Sequence, residues 1–158
     1  MINQYPVLRQ RIAVEWTNIQ KAAQKALAAY AEQSQYSLDA VGLNLQGFYN
    51  GLERLFESIA RQIDGSIPEG GSWHRDLLKQ MALDVPGVRP SVISQETAVA
   101  LEDYLGFRHI VRNLYTWDLD PTKVSQLVDR LPKIISMLDA DLEKFGHFLE
   151  AAARADEE

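Results

Sequence analysis

The residues best suited to chemistry lie in one short stretch, Gly106 to Trp117, which reads GFRHIVRNLYTW. It carries Arg108, His109 and Arg112 and no acid, inside a chain whose net charge is −6. Placed on a helix at about 100° per residue, Phe107, Ile110, Val111 and Leu114 gather on one arc with Ala100 and Tyr104. Arg108, His109, Arg112, Asn113 and Thr116 take the opposite arc, and Tyr115 borders the Arg108 side. The pattern predicts a packing face backed by a face that presents two guanidinium groups, an imidazole, an amide and a nearby phenol. Arginines at i and i+4 repel each other. An anionic ligand relieves that repulsion, and guanidinium forks suit phosphate. Pairing of Arg108 and Arg112 with Glu102, Asp103 or acids on neighbouring helices would relieve it as well.

The elements that must position these groups read as helices. Apolar residues at Leu8, Ile12, Trp16, Ile19, Ala23, Leu27 and Tyr30 repeat at helical spacing. After an N-cap at Ser37, a second stripe runs through Val41, Leu45, Phe48, Leu52, Leu55 and Ile59, with Gln46, Asn50, Glu53 and Glu57 mostly on other faces. The glycine-rich break GSIPEGGS, residues 65–72, precedes a short helix capped by Ser72, from Trp73 to about Leu83. Pro86, Gly87 and Pro90 make the next break. Ser94 then caps a helix from Gln95 to about Trp117, with Glu96 in its first turn. Asp120 and Pro121 read as an N-cap and first helical position. The last stripe is Val124, Val128, Leu131, Ile135, Leu138, Leu142, Phe145 and Leu149, with Pro132 predicted to bend that helix. Tyr30, Tyr36 and Tyr49 are expected at the bundle edge and Trp16 in the core. The expected fold is all-α, an up-and-down bundle of four long helices and one short one in a single domain, residues 1–153. Residues 154–158 form an acidic tail expected to fray.

Composition excludes several function classes. The 158 residues are 46% hydrophobic and 24% charged, which is globular rather than disordered. The chain has no cysteine, so it has no disulfide scaffold, thiolate zinc site or cysteine nucleophile, and a cytoplasmic location fits. With 16 basic against 22 acidic residues, a broad basic face for nucleic acid is not expected, although a local basic pocket is compatible. Met1 to Glu15 holds no apolar signal-peptide core, and no apolar stretch is long enough to span a bilayer, so no membrane association is expected. Facing Glu-x-x-His pairs are absent, and Glu69-Gly70-Gly71-Ser72 is not followed by Gly-Lys-Ser/Thr. Neither a metal site nor a cofactor is expected.

Arg108, four residues, Asn113, one residue, Tyr115 resembles the HEPN superfamily motif of Arg, four residues, His, one residue, Tyr. The likeness is strongest to the HepT-like ribonuclease toxins, whose motif sits late in a bundle helix. Phe107, the run Trp117-Asp118-Leu119-Asp120 and the fragment Ser72 to Leu78 (SWHRDLL) look like that group too. The resemblance implies an all-helical homodimer, HEPN-like in fold, whose paired motifs line a cleft. It implies RNA cleavage without a metal ion, and a minimal nucleotidyltransferase antitoxin as cognate partner. In some systems that antitoxin transfers AMP to the motif Tyr. Carried over, Arg108 would neutralise the scissile phosphate, with Arg112 beside it. Tyr115 would support the site and be the residue open to modification.

Asn113 stands where the family has His. An amide hydrogen-bonds a phosphate or a ribose hydroxyl but does not exchange a proton near pH 7. His109, one turn earlier on the same side, is the first histidine that could stand in, and His74 on the short helix is the second. His147, near the far end of the last helix, is set aside. Two other readings compete with cleavage. One is a non-catalytic nucleotide- or nucleotidyltransferase-binding module of the same fold, and the other is an unrelated structural bundle. The alternatives separate on one substitution. If Asn113 limits catalysis, Asn113→His raises RNA cleavage, and the gain disappears when Arg108 is also removed. If a histidine already present does the work, Asn113→His changes the rate little, as gel-resolved RNA cleavage would show.

Overall fold

The structure is a computed structural model that describes residues 4–157. Among them are five α-helices: α1 (Gln4–Glu32), α2 (Ser37–Ile59), α3 (Trp73–Met81), α4 (Gln95–Val111) and α5 (Pro121–Glu157). A π-helical turn, Ala60–Asp64, prolongs α2, and a 3-10 turn, Thr116–Asp118, precedes α5. No strand occurs among the described residues, so the all-α bundle of four long helices and a short one stands.

Each apolar stripe faces the common core. Leu8, Ile12, Trp16, Ile19, Ala23 and Ala26 are the buried residues of α1, and they meet Val41, Leu45, Phe48, Leu52, Leu55 and Ile59 of α2. Contacts between side chains give the directions. Arg9 pairs with Glu150, the Trp16 indole N–H donates to Asp139 at 2.9 Å, and the Tyr30 hydroxyl donates to Ser125 at 2.9 Å. α1 and α5 are therefore antiparallel. Arg54 reaching back to Glu15 at 3.0 Å sets α1 antiparallel to α2. Thr97 bonded to Asp141 and Arg130 paired with Asp103 set α4 antiparallel to α5. Gly51 lets the first two helices approach closely, because a Cβ there would stand 2.6 Å from the Ile19 side chain.

Two helix starts follow their caps as expected. The Ser94 hydroxyl accepts from the Thr97 N–H at 3.0 Å. Asp120 accepts from the Thr122 N–H at 3.0 Å, with Pro121 as the first helical residue. Two other caps need correction. Ser37 is the first residue of α2, preceded by Tyr36, and its hydroxyl accepts from the Ser34 N–H instead. Ser72 stands at the cap of α3, but its hydroxyl is turned to Asp76 at 3.1 Å rather than to a backbone N–H. α5 runs unbroken through Pro132 and continues through residues 154–157, where the acidic composition predicted fraying.

The largest correction is the end of α4. The stripe predicted a helix to about Trp117, but it stops at Val111. Asn113 is the physical reason: its side-chain N–H₂ donates to the His109 carbonyl at 3.1 Å and competes with the helical ladder. The Asn113 and Leu114 N–H groups bond three residues back, tightening the last turn, and Tyr115 is extended. Ile110 and Leu114, expected on the packing arc, are consequently 49% and 40% exposed.

A buried ion pair ties the short helix to the end of α2. Arg89 is 4% exposed. Its guanidinium grips both Asp64 carboxylate oxygens, at 2.6 and 2.8 Å. Other guanidinium N–H groups donate to the carbonyls of Gln80, in the last turn of α3, and of Leu83, just beyond it.

Tyr49, expected at the edge, is fully buried instead. Burial raises its pKa above the ordinary value of about 10, and the neighbouring Glu53 carboxylate adds to the rise while Arg108 opposes it. Burial raises Tyr104 likewise, and its hydroxyl donates to the Leu127 carbonyl at 2.6 Å. A phenol whose folded pKa exceeds its unfolded one supports the fold below the unfolded pKa and loses that support as pH rises through the folded value. Stability is therefore expected to fall above about pH 10. In an absorbance titration of the six tyrosines, Tyr49 and Tyr104 should ionise only as the helical circular dichroism is lost.

Candidate phosphate-binding site

Arg108 is the one motif residue that turns inward. It sits in the last turn of α4, with its side chain 13% exposed. Its Nε–H donates to the Asn50 side-chain carbonyl on α2. Its Nη2 stands 3.8 Å from Oε1 of Glu53, one turn further along α2. Glu53 is 6% exposed, a carboxylate deep in the helix packing. Its second oxygen, Oε2, meets Nδ1 of His74 at 2.6 Å. The Trp73 ring lies against the His74 imidazole at 3.7 Å between centroids. Residues from α2, α3 and α4 thus converge on one carboxylate.

Electrostatics accounts for the convergence. A buried carboxylate needs partners to offset its lost hydration. Arg108 brings charge, and His74 brings an N–H. Asn50 holds the guanidinium so that it is not committed to Glu53 alone. Of the five N–H donors of an arginine, these contacts engage one edge and leave others for an anion. The i, i+4 repulsion is resolved by separation: Arg108 faces the core while Arg112 is exposed beyond the end of α4. The partner of Arg108 is therefore an acid on a neighbouring helix, while Asp103 pairs with Arg130.

A cleft of about 280 Å³ opens beside this cluster, lined by Ser72, His74, Arg75, Leu105, Arg108 and His109 among others. Arg108, His109 and His74 are thus brought together. Arg112, Asn113 and Tyr115 do not line that cleft; they lie on the exposed turn after α4. There Tyr115 and Trp117 stack face to face, 4.6 Å apart and 4° from parallel, 67% and 77% exposed. His147 is far off on α5, near Glu143 and Glu150. Larger grooves of about 550 and 650 Å³ run along α1, but none of their lining residues is a histidine. Among the described residues, no three His, Asp or Glu side chains are grouped to hold a metal ion. No helix among them is long and apolar enough to cross a membrane.

Asn50, Glu53 and Arg75 are site residues that the sequence reading did not single out. Glu53 had a detectable signature. It falls between Tyr49 and Phe56 on the buried side of α2, where a carboxylate interrupts a run of large apolar residues.

The class is defined at this point by what the bundle positions: an all-α protein whose fourth helix delivers an arginine to a histidine-lined cleft. The sequence pattern of a family described as HepT-like protein matches residues 40–149, and the chain belongs to that family, within the HEPN superfamily. The matched span takes in most of α2, all of α3 and α4 and most of α5, and so every residue of the cluster. No curated protein and no solved structure matches the chain.

Proposed function

We propose that the protein is the HepT-like toxin of a toxin–antitoxin pair, a cytoplasmic endoribonuclease that cleaves RNA without a metal ion at the cleft of a homodimer. The observation that carries this reading is the anchored guanidinium of Arg108, held by Asn50 and Glu53 beside a cleft of about 280 Å³. Arg108 neutralises the scissile phosphate, and a preset donor of this kind stabilises the charge that develops in the transition state. His109 adds a hydrogen-bonding group to the cleft lining, and Arg112 offers a second guanidinium on the exposed turn beyond it. Asn113 hydrogen-bonds RNA without exchanging protons. Tyr115 stands exposed, accessible to a minimal nucleotidyltransferase antitoxin that would transfer AMP to its hydroxyl.

The second reading, a non-catalytic nucleotide- or nucleotidyltransferase-binding module, is favoured by Asn113 itself. It replaces the family histidine and is occupied with the His109 carbonyl. Incubation of the purified protein with tRNA and messenger RNA in the presence of a chelator decides between the two. Cleavage is expected to survive chelation and to fall by about 10²–10³-fold in Arg108→Ala. A well-folded wild type that leaves RNA intact selects the binding module.

The dimer is tested separately. Ile110, Leu114, Tyr115 and Trp117 form an exposed apolar patch at the end of α4, of the kind that marks an interaction surface. A two-fold interface places such a patch against its own copy and doubles the cationic residues around the gap. Light scattering at micromolar concentration is expected to give twice the chain mass of 17.9 kDa. A monomer at that concentration counts against the dimer cleft.

A further inference from the structure

We propose that His74, held by the buried carboxylate of Glu53, is the proton-transfer residue of the RNA-cleaving site and supplies the chemistry that Asn113 lacks. This rests on the ribonuclease reading above and goes beyond it by assigning the catalytic base to a different helix.

The geometry points to His74 rather than His109. A carboxylate only accepts, so its 2.6 Å contact with Nδ1 places the ring hydrogen on that nitrogen. In the neutral ring Nε2 is then the nitrogen that carries the lone pair, since the tautomer is set by the partner of the other nitrogen. Trp73 packs on the ring and restricts its rotation. The side chain is 26% exposed, reachable from the cleft yet largely held by protein. Glu53 uses its other oxygen towards Arg108. A single buried carboxylate thus orients both the base and the phosphate-binding group, and keeps them in one cleft. His109, by contrast, is exposed on the final turn of α4.

The step balances without a metal or a redox partner. Nε2 of His74 takes the proton of a ribose 2′-hydroxyl as O2′ attacks the adjacent phosphorus. The O2′–P bond forms and the P–O5′ bond breaks. The products are a 2′,3′-cyclic phosphate and a 5′-alkoxide. The alkoxide takes a proton from water, and the resulting hydroxide removes the proton from Nε2. Water and neutral His74 are both regenerated. Glu53 is a positioning residue in this scheme and does not touch substrate.

The test uses the full chain with tRNA and messenger RNA in chelator, at saturating and limiting RNA. His74→Asn keeps an N–H near the Glu53 carboxylate but has no titratable nitrogen. It is expected to lower kcat by about 10²–10⁴-fold, to leave KM within about twofold, and to abolish the acid limb of the pH profile. Added imidazole should restore cleavage to His74→Ala, which a purely structural role would not allow. Asn113→His should change the rate little, and the wild-type product should end in a cyclic phosphate. A His74→Asn protein that cleaves within threefold of wild type, with its acid limb intact, overturns the assignment and leaves the ribonuclease reading standing. A folded but inert wild type overturns both. If His74→Asn does not fold, a wild-type profile with no acid limb, or a His74→Ala protein folded by circular dichroism that imidazole does not rescue, also overturns the assignment.

Discussion

A carboxylate buried among helices is the constraint on which the site depends. Glu53 is shielded by Tyr49 and its neighbours on α2, and its charge is costly there without partners. The partners come from elsewhere in the chain: His74 from the short helix, Arg108 from α4. Apolar packing is less directional than a hydrogen bond in fixing how one helix stands against another. The contact with His74, at 2.6 Å, is of the directional kind. The carboxylate therefore sets the register of three elements at once, and what it gathers is the histidine and the arginine that line one cleft. Its effect reaches the adjacent phenol as well, since the raised pKa of Tyr49 has Glu53 among its causes.

The end of α4 divides the labour between two environments. Before Val111 the helix faces the core, and Arg108 is held in place by Asn50 and Glu53. After it, the chain turns outward and shows Arg112, Asn113, Tyr115 and Trp117 to solvent. Leu119 then returns to the core. The motif residues, though close in sequence, thus belong to a rigid interior part and an accessible exterior part. The interior part is held by side chains of α2, and the exterior part is open to solvent.

The bundle was legible because its signal is periodic and redundant. Three apolar stripes, the packing arc around Tyr104 and Phe107, the Ser94 cap and the Asp120-Pro121 start all point to helices. The motif arginine was legible as well, since an acid-free run in an acidic chain stands out. What resisted reading depends on distant partners. Projection onto a helical wheel places Ile110 and Leu114 with the core residues, but no neighbouring helix covers them once α4 has stopped. The stop itself comes from one side-chain bond of Asn113. Arg108 and Arg112 look equivalent at i and i+4, and only the acid on α2, more than fifty positions earlier, tells them apart. His74 ranked behind His109 because the carboxylate that holds it lies on another helix. Tyr49 reads as peripheral by type, and the depth of the packing around it is a property of the whole bundle.

The Arg89–Asp64 clamp has a mechanical consequence. Residues 65–72 look like the strap that carries the short helix, but the helix is moored at its other end. Arg89 fastens the carbonyls of Gln80 and Leu83 to the last turn of α2, and the Gln80 side chain adds a bond to Asp64 at 2.8 Å. The Met81 carbonyl receives the N–H groups of Val92 and Ile93. The glycine-rich strap therefore bears little of the load. Its length and composition can drift between related chains, or be altered by an inserted peptide, while the imidazole it leads to stays in register with α2.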